Sequence, residues 1–511
     1  MTRSPSSTRV TPPEATLRLP LLLTAMLLSQ PLADGAAVPL IIPQPKSIRP
    51  GLGTFAFPRG TVWRLRAPAR DARLWALAGK VMSSTNGLFE KWGGTPALAL
   101  EIGLPGEGRL DPERAVAWGA NEEGYGITVA TNSLRVLANG PGGLAYGLQT
   151  LRQLFQWEGD HCSCPVLELE DWPSLKFRGV HWFPSATGVP MSRRLIENVF
   201  ATFKLNHGVI ECEAAQWDSH PEIAATNSIS KKDLGELVDL CRGHFMEPVP
   251  LINVPGHADW MFRHGHNLEL AEDPATPYAA CVNNPRAIRF IEDVLTECIE
   301  VFHPATVHLG HDEITMRGRF PNPECPRCHD QTVSGLMAQS ANRLAEWLAG
   351  QGIATMMWGD MLLGPGEAAD AMSSPSVTEA QARRAALSKS ITIADWHYVW
   401  NADRRSLDAL AQAGFHTIAA TWSEPVNIFR FSNAAVTAAA GGLLQTTWAG
   451  FFPDDRVLRT QIAQFAAYVI AAEYAWSGRT NPPAGLGYDA QEVFRRAYAG
   501  EFNRPQKNLA P

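Results

Sequence analysis

The chain has no basic run and no surplus of basic residues. Its 44 Lys and Arg are outnumbered by 51 Asp and Glu, giving a net charge of −7 over 511 residues. That balance excludes the clustered positive charge by which nucleic acids and anionic membrane surfaces are bound, and a neutral or mildly polar ligand fits better. Long apolar runs are also missing beyond the N-terminus, so no later segment is of a length to span a bilayer. Nothing in the composition suggests disorder: 45% of residues are hydrophobic, and the length allows two or more domains with a large core. What is plentiful is tryptophan, with 16 copies, a flat apolar face with one N–H that suits either core packing or stacking on sugars.

The first residues carry Arg3, Arg9 and Arg18, then an apolar run from Leu19 to Leu28, then Pro31-Leu32-Ala33-Asp34-Gly35-Ala36-Ala37. This is a signal-peptide pattern over residues 1–37, with cleavage expected between Ala33 and Ala37. A secreted or periplasmic, soluble protein is the expectation. No cysteine lies near that point, so no lipid anchor is expected. Eight cysteines in an exported chain allow disulfides. Alternatively Cys162, Cys164, Cys325 and Cys328, as two close thiol pairs, are a candidate zinc set, while Cys212, Cys241, Cys281 and Cys298 read as core thiols.

Residues 38–170 read as a small α+β domain, with strands at 98–102, 125–130 and 133–138 and helices at 71–84 and 144–157. From residue 171 to 480 strand-like and helix-like segments alternate eight times. The strands fall at 177–183, 207–212, 248–254, 305–310, 354–358, 391–396, 417–422 and 443–448. Eight strand–helix pairs over about 300 residues specify an α/β fold of the (β/α)₈ TIM barrel type, with a doubly wound open sheet as the alternative. Residues 481–511 read as a C-terminal extension.

In a barrel, function sits past the C-terminal ends of the strands. Those positions hold His181-Trp182, Glu211-Cys212-Glu213, Asn253-Val254-Pro255-Gly256-His257, His311-Asp312-Glu313, Trp358-Gly359-Asp360, Trp396-His397-Tyr398, Trp422 and Trp448. Asp312 and Glu313 are the paired carboxylates that glycosidic chemistry uses, although an Asp-Glu pair also marks many solvated helix starts. As neighbours in a strand they would face opposite ways, so both reach the mouth only if the chain leaves strand geometry after Gly310. Adjacent acids also cannot easily flank one bond from two sides. That favours a substrate that supplies its own nucleophile. A metal-dependent barrel hydrolase using His257, His308, His311 and Asp312 is a weaker alternative, since the first strand offers only His181.

The motif His308-Leu309-Gly310-His311-Asp312-Glu313 resembles the H-x-G-G-D-E signature of glycoside hydrolase family 20, the β-N-acetylhexosaminidases. Further matches are Ile42-Pro43-Gln44-Pro45, Glu123-Gly124-Tyr125, Tyr146-Gly147-Leu148-Gln149, Asp171-Trp172-Pro173, Arg178-Gly179-Val180, Lys204-Leu205-Asn206, Pro255-Gly256-His257-Ala258 and Met357-Trp358-Gly359-Asp360. The resemblance implies exo-acting, substrate-assisted retaining hydrolysis of terminal GlcNAc or GalNAc β-glycosides, without cofactor or metal. It implies Glu313 as acid/base and Asp312 as holder of the acetamido N–H. It also implies Trp358, Trp396 and Trp448 as walls, Tyr398 as donor to the acetamido oxygen, Arg178 as a hydroxyl-binding arginine, and His257 beside the acids. An N-acetylhexosamine-containing oligosaccharide or glycoconjugate is the implied partner.

Three departures stand out. His311 replaces the second glycine and is expected to put a ring beside the acids, narrowing the sugar site. Asn253 stands where an aspartate is usual, and Ala449-Gly450 follow Trp448 where an acid is common. These keep a catalytically degenerate carbohydrate-binding protein on the same fold as the alternative.

Overall fold

The computed structural model describes residues 38–502 apart from 59–60, 67–70, 84–87, 92–97, 104–120 and 159–160. The signal peptide and its cleavage window lie outside the described residues.

The N-terminal unit is a mixed sheet. Its long strand Ser47–Pro58 pairs antiparallel with His161–Asp171, which pairs with Tyr125–Ala130, then Ser133–Ala138, then the parallel strands Leu98–Gly103, Val62–Arg66 and Leu88–Lys91. Tyr125–Ala130 alternates buried and part-exposed residues, the pattern of a strand with one face on a core. Helices Ala72–Ser83 and Pro141–Leu154 pack on that face and on each other.

Eight parallel strands then close into a barrel: Phe177–Trp182, His207–Glu211, Glu247–Val254, Thr306–Gly310, Ala354–Trp358, Thr392–Trp396, Thr417–Thr421 and Gly442–Gln445. Their sequences are nearly continuous apolar runs because both faces are covered, by the barrel interior on one side and helices on the other. Local signals set the helices. Pro285–Phe302 starts where Asn284 accepts the Arg286 N–H ahead of a proline, and it buries Phe290, Ile291, Val294, Leu295, Cys298 and Phe302 along one stripe. Helix Pro425–Thr437 starts at a proline, where the Glu424 side chain caps it by accepting the Asn427 N–H. The eighth strand stops at Gln445, so Trp448 stands on a loop. Beyond residue 480, helix Ala490–Tyr498 packs against helix Ile462–Ser477 and places Phe494 in the main barrel core. The described part of the extension therefore belongs to the barrel's outer layer.

The two units meet at the N-terminal end of the barrel through buried ions. Lys204 Nζ lies 2.9 Å from Asp171 Oδ2 and donates to Tyr125 Oη at 2.7 Å, with both charged side chains fully buried. Arg178 is the correction to the site expected from sequence. It sits at the start of the first strand, opposite the mouth, and its guanidinium is held by Glu123 at 2.7 and 3.0 Å and by the carbonyls of Lys204, Leu175 and Lys176. The side chain is fully buried behind those partners, at the end of the barrel away from the mouth. Stacked beside Tyr146 and Trp476, it joins the small domain to the barrel. Removing one member of such a pair strands a buried charge, so Glu123→Ala is expected to cost about 3–5 kcal/mol. A urea titration checks this: a lowered midpoint is expected, and wild-type stability would contradict the placement.

Candidate active site

The fourth strand brings the two acids to the mouth by leaving strand geometry. Gly310, His311 and Glu313 have φ of +69°, +66° and +46°, a left-handed region that glycine enters freely and other residues enter at a cost. Gly310 is also sterically fixed, since a Cβ there would stand 2.5 Å from Asn253 Oδ1. The turn swings Asp312 and Glu313 to one side, where His257 Nε2 lies 3.5 Å from Asp312 Oδ2 and 3.3 Å from Glu313 Oε2. His257 itself has φ +50°. Asp360, just past the fifth strand, accepts the Glu313 backbone N–H at 3.1 Å and the Trp396 indole N–H at 3.3 Å. Tyr278 donates to the Glu313 carbonyl at 3.1 Å.

Electrostatics follow from this packing. Burial pushes the Asp312 carboxyl up to about 7; His257 opposes the shift and Asp360 and Glu313 add to it. Burial works against a charge on His257, but the hydrogen bond to Glu313 and the field of Asp312 outweigh it and raise its pKa to about 9. The histidine is thus a cation between two acids at neutral pH. Asp312 Oδ1 is buried and has no hydrogen-bond partner, so the site holds an acceptor with nothing to accept from.

The aromatic residues enclose that acceptor. Trp358 is 1% exposed and forms the floor, 6.2 Å from Trp448 between ring centres. Trp396 stacks near Tyr398 at 4.9 Å. Trp448 Nε1 donates to Tyr398 Oη at 3.0 Å, and Thr446 Oγ1 lies a longer 3.4 Å from the same oxygen. Tyr398 is anchored by Asp370, which accepts its backbone N–H at 2.9 Å and also pairs with His397. Past Trp448 the rim is apolar, with Phe183 5.9 Å from Trp448 and 5.3 Å from Phe451.

His311 is not beside the acids, contrary to the expectation from sequence. Its left-handed backbone turns the ring outward and buries it. Nδ1 bonds the Leu309 carbonyl at 3.1 Å, and Nε2 bonds Ser340 of helix Val333–Ala349 at 3.2 Å. Burial pushes its pKa down to about 4, so it is neutral, and it does not narrow the mouth. His308 points into the barrel against Trp358. The four-ligand metal set of His257, His308, His311 and Asp312 is therefore not assembled.

The sequence marks Asp360, Glu211 and Glu213 as strand-end residues without giving them a role, and nothing in it marks Tyr278, which lies in a long loop. Asn253 donates to both glutamates, at 3.0 and 2.9 Å, and His181 bonds Glu211 at 2.9 Å. Burial raises both carboxyls, Glu211 to about 8, and pushes His181 down to about 3. The His181–Glu211 contact is then a neutral hydrogen bond. Asn253 works here as the cross-brace of two buried acids, where an aspartate would add a third.

Histidine-selective NMR titration tests the charge pattern. His257 is expected to titrate near 9 and His311 near 4, with Asp312→Asn lowering the His257 value because a carboxylate that favours its charged form is gone. A His257 value below 7 in the intact protein would rule out the cation between the acids.

Comparison with known proteins agrees with this architecture. Residues 38–172 match the model for glycosyl hydrolase family 20, domain 2, and residues 209–479 the model for the glycosyl hydrolase family 20 catalytic domain. A lacto-N-biosidase of Bifidobacterium bifidum is 22% identical over 413 residues, 78% of this chain and 34% of that protein. A beta-hexosaminidase of Akkermansia muciniphila is 22% identical over 258 residues, 44% of this chain and 52% of that protein. The chain thus spans about a third to a half of the length of these curated relatives. Among solved structures, the chitobiase of Flavobacterium johnsoniae superposes with a TM-score of 0.71 at 18% identity, over 90% of this chain and 72% of that one. The family 20 β-N-acetylhexosaminidase of Streptomyces coelicolor gives 0.67 at 18% identity, over 93% and 99%; at such identities the likeness is one of fold. The family-model matches cover both domains and the segment bearing Asp312 and Glu313, and the chain belongs to glycosyl hydrolase family 20.

Proposed function

We propose that this chain is an exo-acting β-N-acetylhexosaminidase that hydrolyses terminal GlcNAc or GalNAc β-glycosides with retention, using the substrate's acetamido group as nucleophile. The observation that carries the reading is the unpartnered, buried Asp312 Oδ1 beside Glu313 under an aromatic cover. An acetamido N–H donated to that oxygen supplies the missing partner and bends the group towards C1. Tyr398, whose oxygen already accepts from Trp448, donates its own proton to the acetamido oxygen. Trp358, Trp396 and Trp448 pack the methyl.

In the first step the acetamido oxygen forms a bond to C1, the bond from C1 to the leaving oxygen breaks, and Glu313 gives that oxygen a proton. The oxazolinium cation is stabilised by the Asp312 carboxylate, a preorganised charge in a site of low dielectric. In the second step water attacks C1, Glu313 takes its proton, and the acetamido group is regenerated. Holding nucleophile and C1 together makes the attack intramolecular, which is where most of the acceleration arises. His257, protonated and 3.3 Å from Glu313 Oε2, keeps a proton beside the acid. On the same proposal the activity is exercised outside the cytoplasm, a reading supported by the signal-peptide pattern over residues 1–37.

Aryl glycosides of GlcNAc and GalNAc, with a non-acetylated glucoside as control, test the reading. Turnover is expected only with the acetamido group, and Glu313→Gln should reduce it by about 10²–10⁴-fold, the range of a general acid. Binding of a chitin oligosaccharide without turnover by the intact chain would favour the degenerate sugar-binding alternative, for which the apolar rim in place of an acid speaks.

The pH profile follows from the two shifted groups. Asp312 must be ionised to accept the N–H, so kcat/KM should rise with pH through about 7 and fall again as His257 loses its proton near 9. Asp312→Asn should abolish the acid limb together with most of the rate. An acid limb that survives in that variant would assign it to another group.

A further inference from the structure

Outside the acids and their aromatic cover, one buried cluster has the chemistry of a binding site. Cys281, Cys325, Cys328 and Glu272 each direct a ligand atom into one volume, all within 4.8 Å of one another and all buried. Cys281 Sγ is 3.6 Å from Cys328 Sγ and 3.8 Å from Cys325 Sγ. A disulfide needs sulfurs at about 2.05 Å. A tetrahedral ion with Zn–S bonds of about 2.3 Å sets its sulfurs about 3.8 Å apart. The observed spacing is that of sulfurs that share one tetrahedral ion.

The fourth member supplies an independent observation. Glu272 is 1% exposed, its Oε1 accepts the Asn322 backbone N–H at 3.0 Å, and its buried Oε2 meets no amide, hydroxyl or cationic donor, only the thiols of Cys281 and Cys328. A buried carboxylate oxygen left to such weak donors is costly. The surroundings are those of an outer shell that stabilises thiolates. Asn283 Nδ2 donates to Cys328 Sγ at 3.6 Å, and the backbone N–H groups of Arg327 and Asn283 point at the sulfurs of Cys325 and Cys281. An N–H two residues after the first cysteine, aimed back at its sulfur, suits the Cys-x-x-Cys turn 325–328 to hold a metal.

We propose that Glu272, Cys281, Cys325 and Cys328 bind one structural zinc ion through three thiolates and one carboxylate oxygen. The set differs from the alternative read from sequence, which joined Cys325 and Cys328 to Cys162 and Cys164. Those two lie in the core of the small domain, and Cys281, read as a core thiol, takes their place. Binding releases the three thiol protons to solvent, so occupancy falls at acid pH.

The site has a mechanical role that its position defines. Glu272 and Cys281 lie on the loop after the third strand, which also carries His257 and Tyr278. Cys325 and Cys328 lie on the loop after the fourth strand, which begins with Asp312 and Glu313. One ion clamps together the two loops whose contacts, His257 to both acids and Tyr278 to the Glu313 carbonyl, set the active-site geometry. The inference does not depend on which glycoside is cleaved.

Metal analysis of the full chain, purified without chelator and without added metal, tests it. About one zinc per chain is expected, lost in Cys281→Ser and retained in Cys298→Ala, a buried thiol elsewhere. Glu272→Gln, which keeps every thiol, should weaken zinc retention against a chromogenic chelator by about tenfold or more, since changes to the outer shell alone act on that scale. Zinc removal should lower the melting temperature of the intact protein. Protein without zinc, or with a disulfide among Cys281, Cys325 and Cys328 by intact mass, overturns the proposal. So does zinc that persists in both the Cys281→Ser and Glu272→Gln proteins.

Discussion

The reversal of the chain at Gly310–Glu313 is the constraint on which the site depends. Two carboxylates adjacent in sequence serve one face only if the backbone between strand and loop leaves the extended region, and here it does so through left-handed residues. For His311 and Glu313 that conformation costs about 1–3 kcal/mol each, and the cost is offset by what the turn brings into contact. His311 gains two hydrogen bonds beneath the helix. Glu313 has its N–H held by Asp360 and its carbonyl by Tyr278. The strained turn is therefore fixed from two neighbouring strand ends, and rigidity at the acids is a property of the barrel rather than of the motif.

The same reversal explains why His311 is tolerated where the family motif has glycine. A side chain at that position does not point at the sugar, because the left-handed residue rotates Cβ outward, towards helix Val333–Ala349. A large residue is then acceptable if its polar atoms find partners in the wall, and Ser340 and the Leu309 carbonyl are those partners. Sequence comparison marks the substitution as a threat to the site, whereas the backbone makes it a packing feature.

The barrel and the small domain were legible from residues alone, because eight apolar runs spaced by amphipathic segments leave few other solutions. That register puts Trp396 at the end of its strand and the two acids just past theirs, whereas Trp448, expected at the end of the eighth strand, stands on the loop three residues beyond it. Arg178 stands at the start of the first strand, where its motif puts it, but the hydroxyl-binding role that the resemblance implies for it does not fit: its guanidinium sits at the bottom of the barrel, where Glu123 from the other domain meets it. Tyr278 and the ligation of Glu272 with Cys281 were hidden for a different reason. They depend on the fold of a thirty-residue loop with little regular structure, where neither periodicity nor capping residues register which side chains converge.

Asn253 shows how the parts constrain one another. With Glu211 and Glu213 both buried behind His257, an aspartate at position 253 would add a third acid to a volume whose burial already raises the pKa of two. The amide instead donates one N–H to each acid, and its Oδ1 lies where a side chain at Gly310 would be. The departure at Asn253 and the glycine at 310 are thus one adaptation. They let the third and fourth strands approach closely enough for His257 to reach both Asp312 and Glu313, which fixes how the remaining charge is shared. Once the glutamates behind it are neutral, the cation on His257 faces Asp312 and Glu313 in front of it, and the proton that the proposed chemistry needs is held at the mouth instead of in the core.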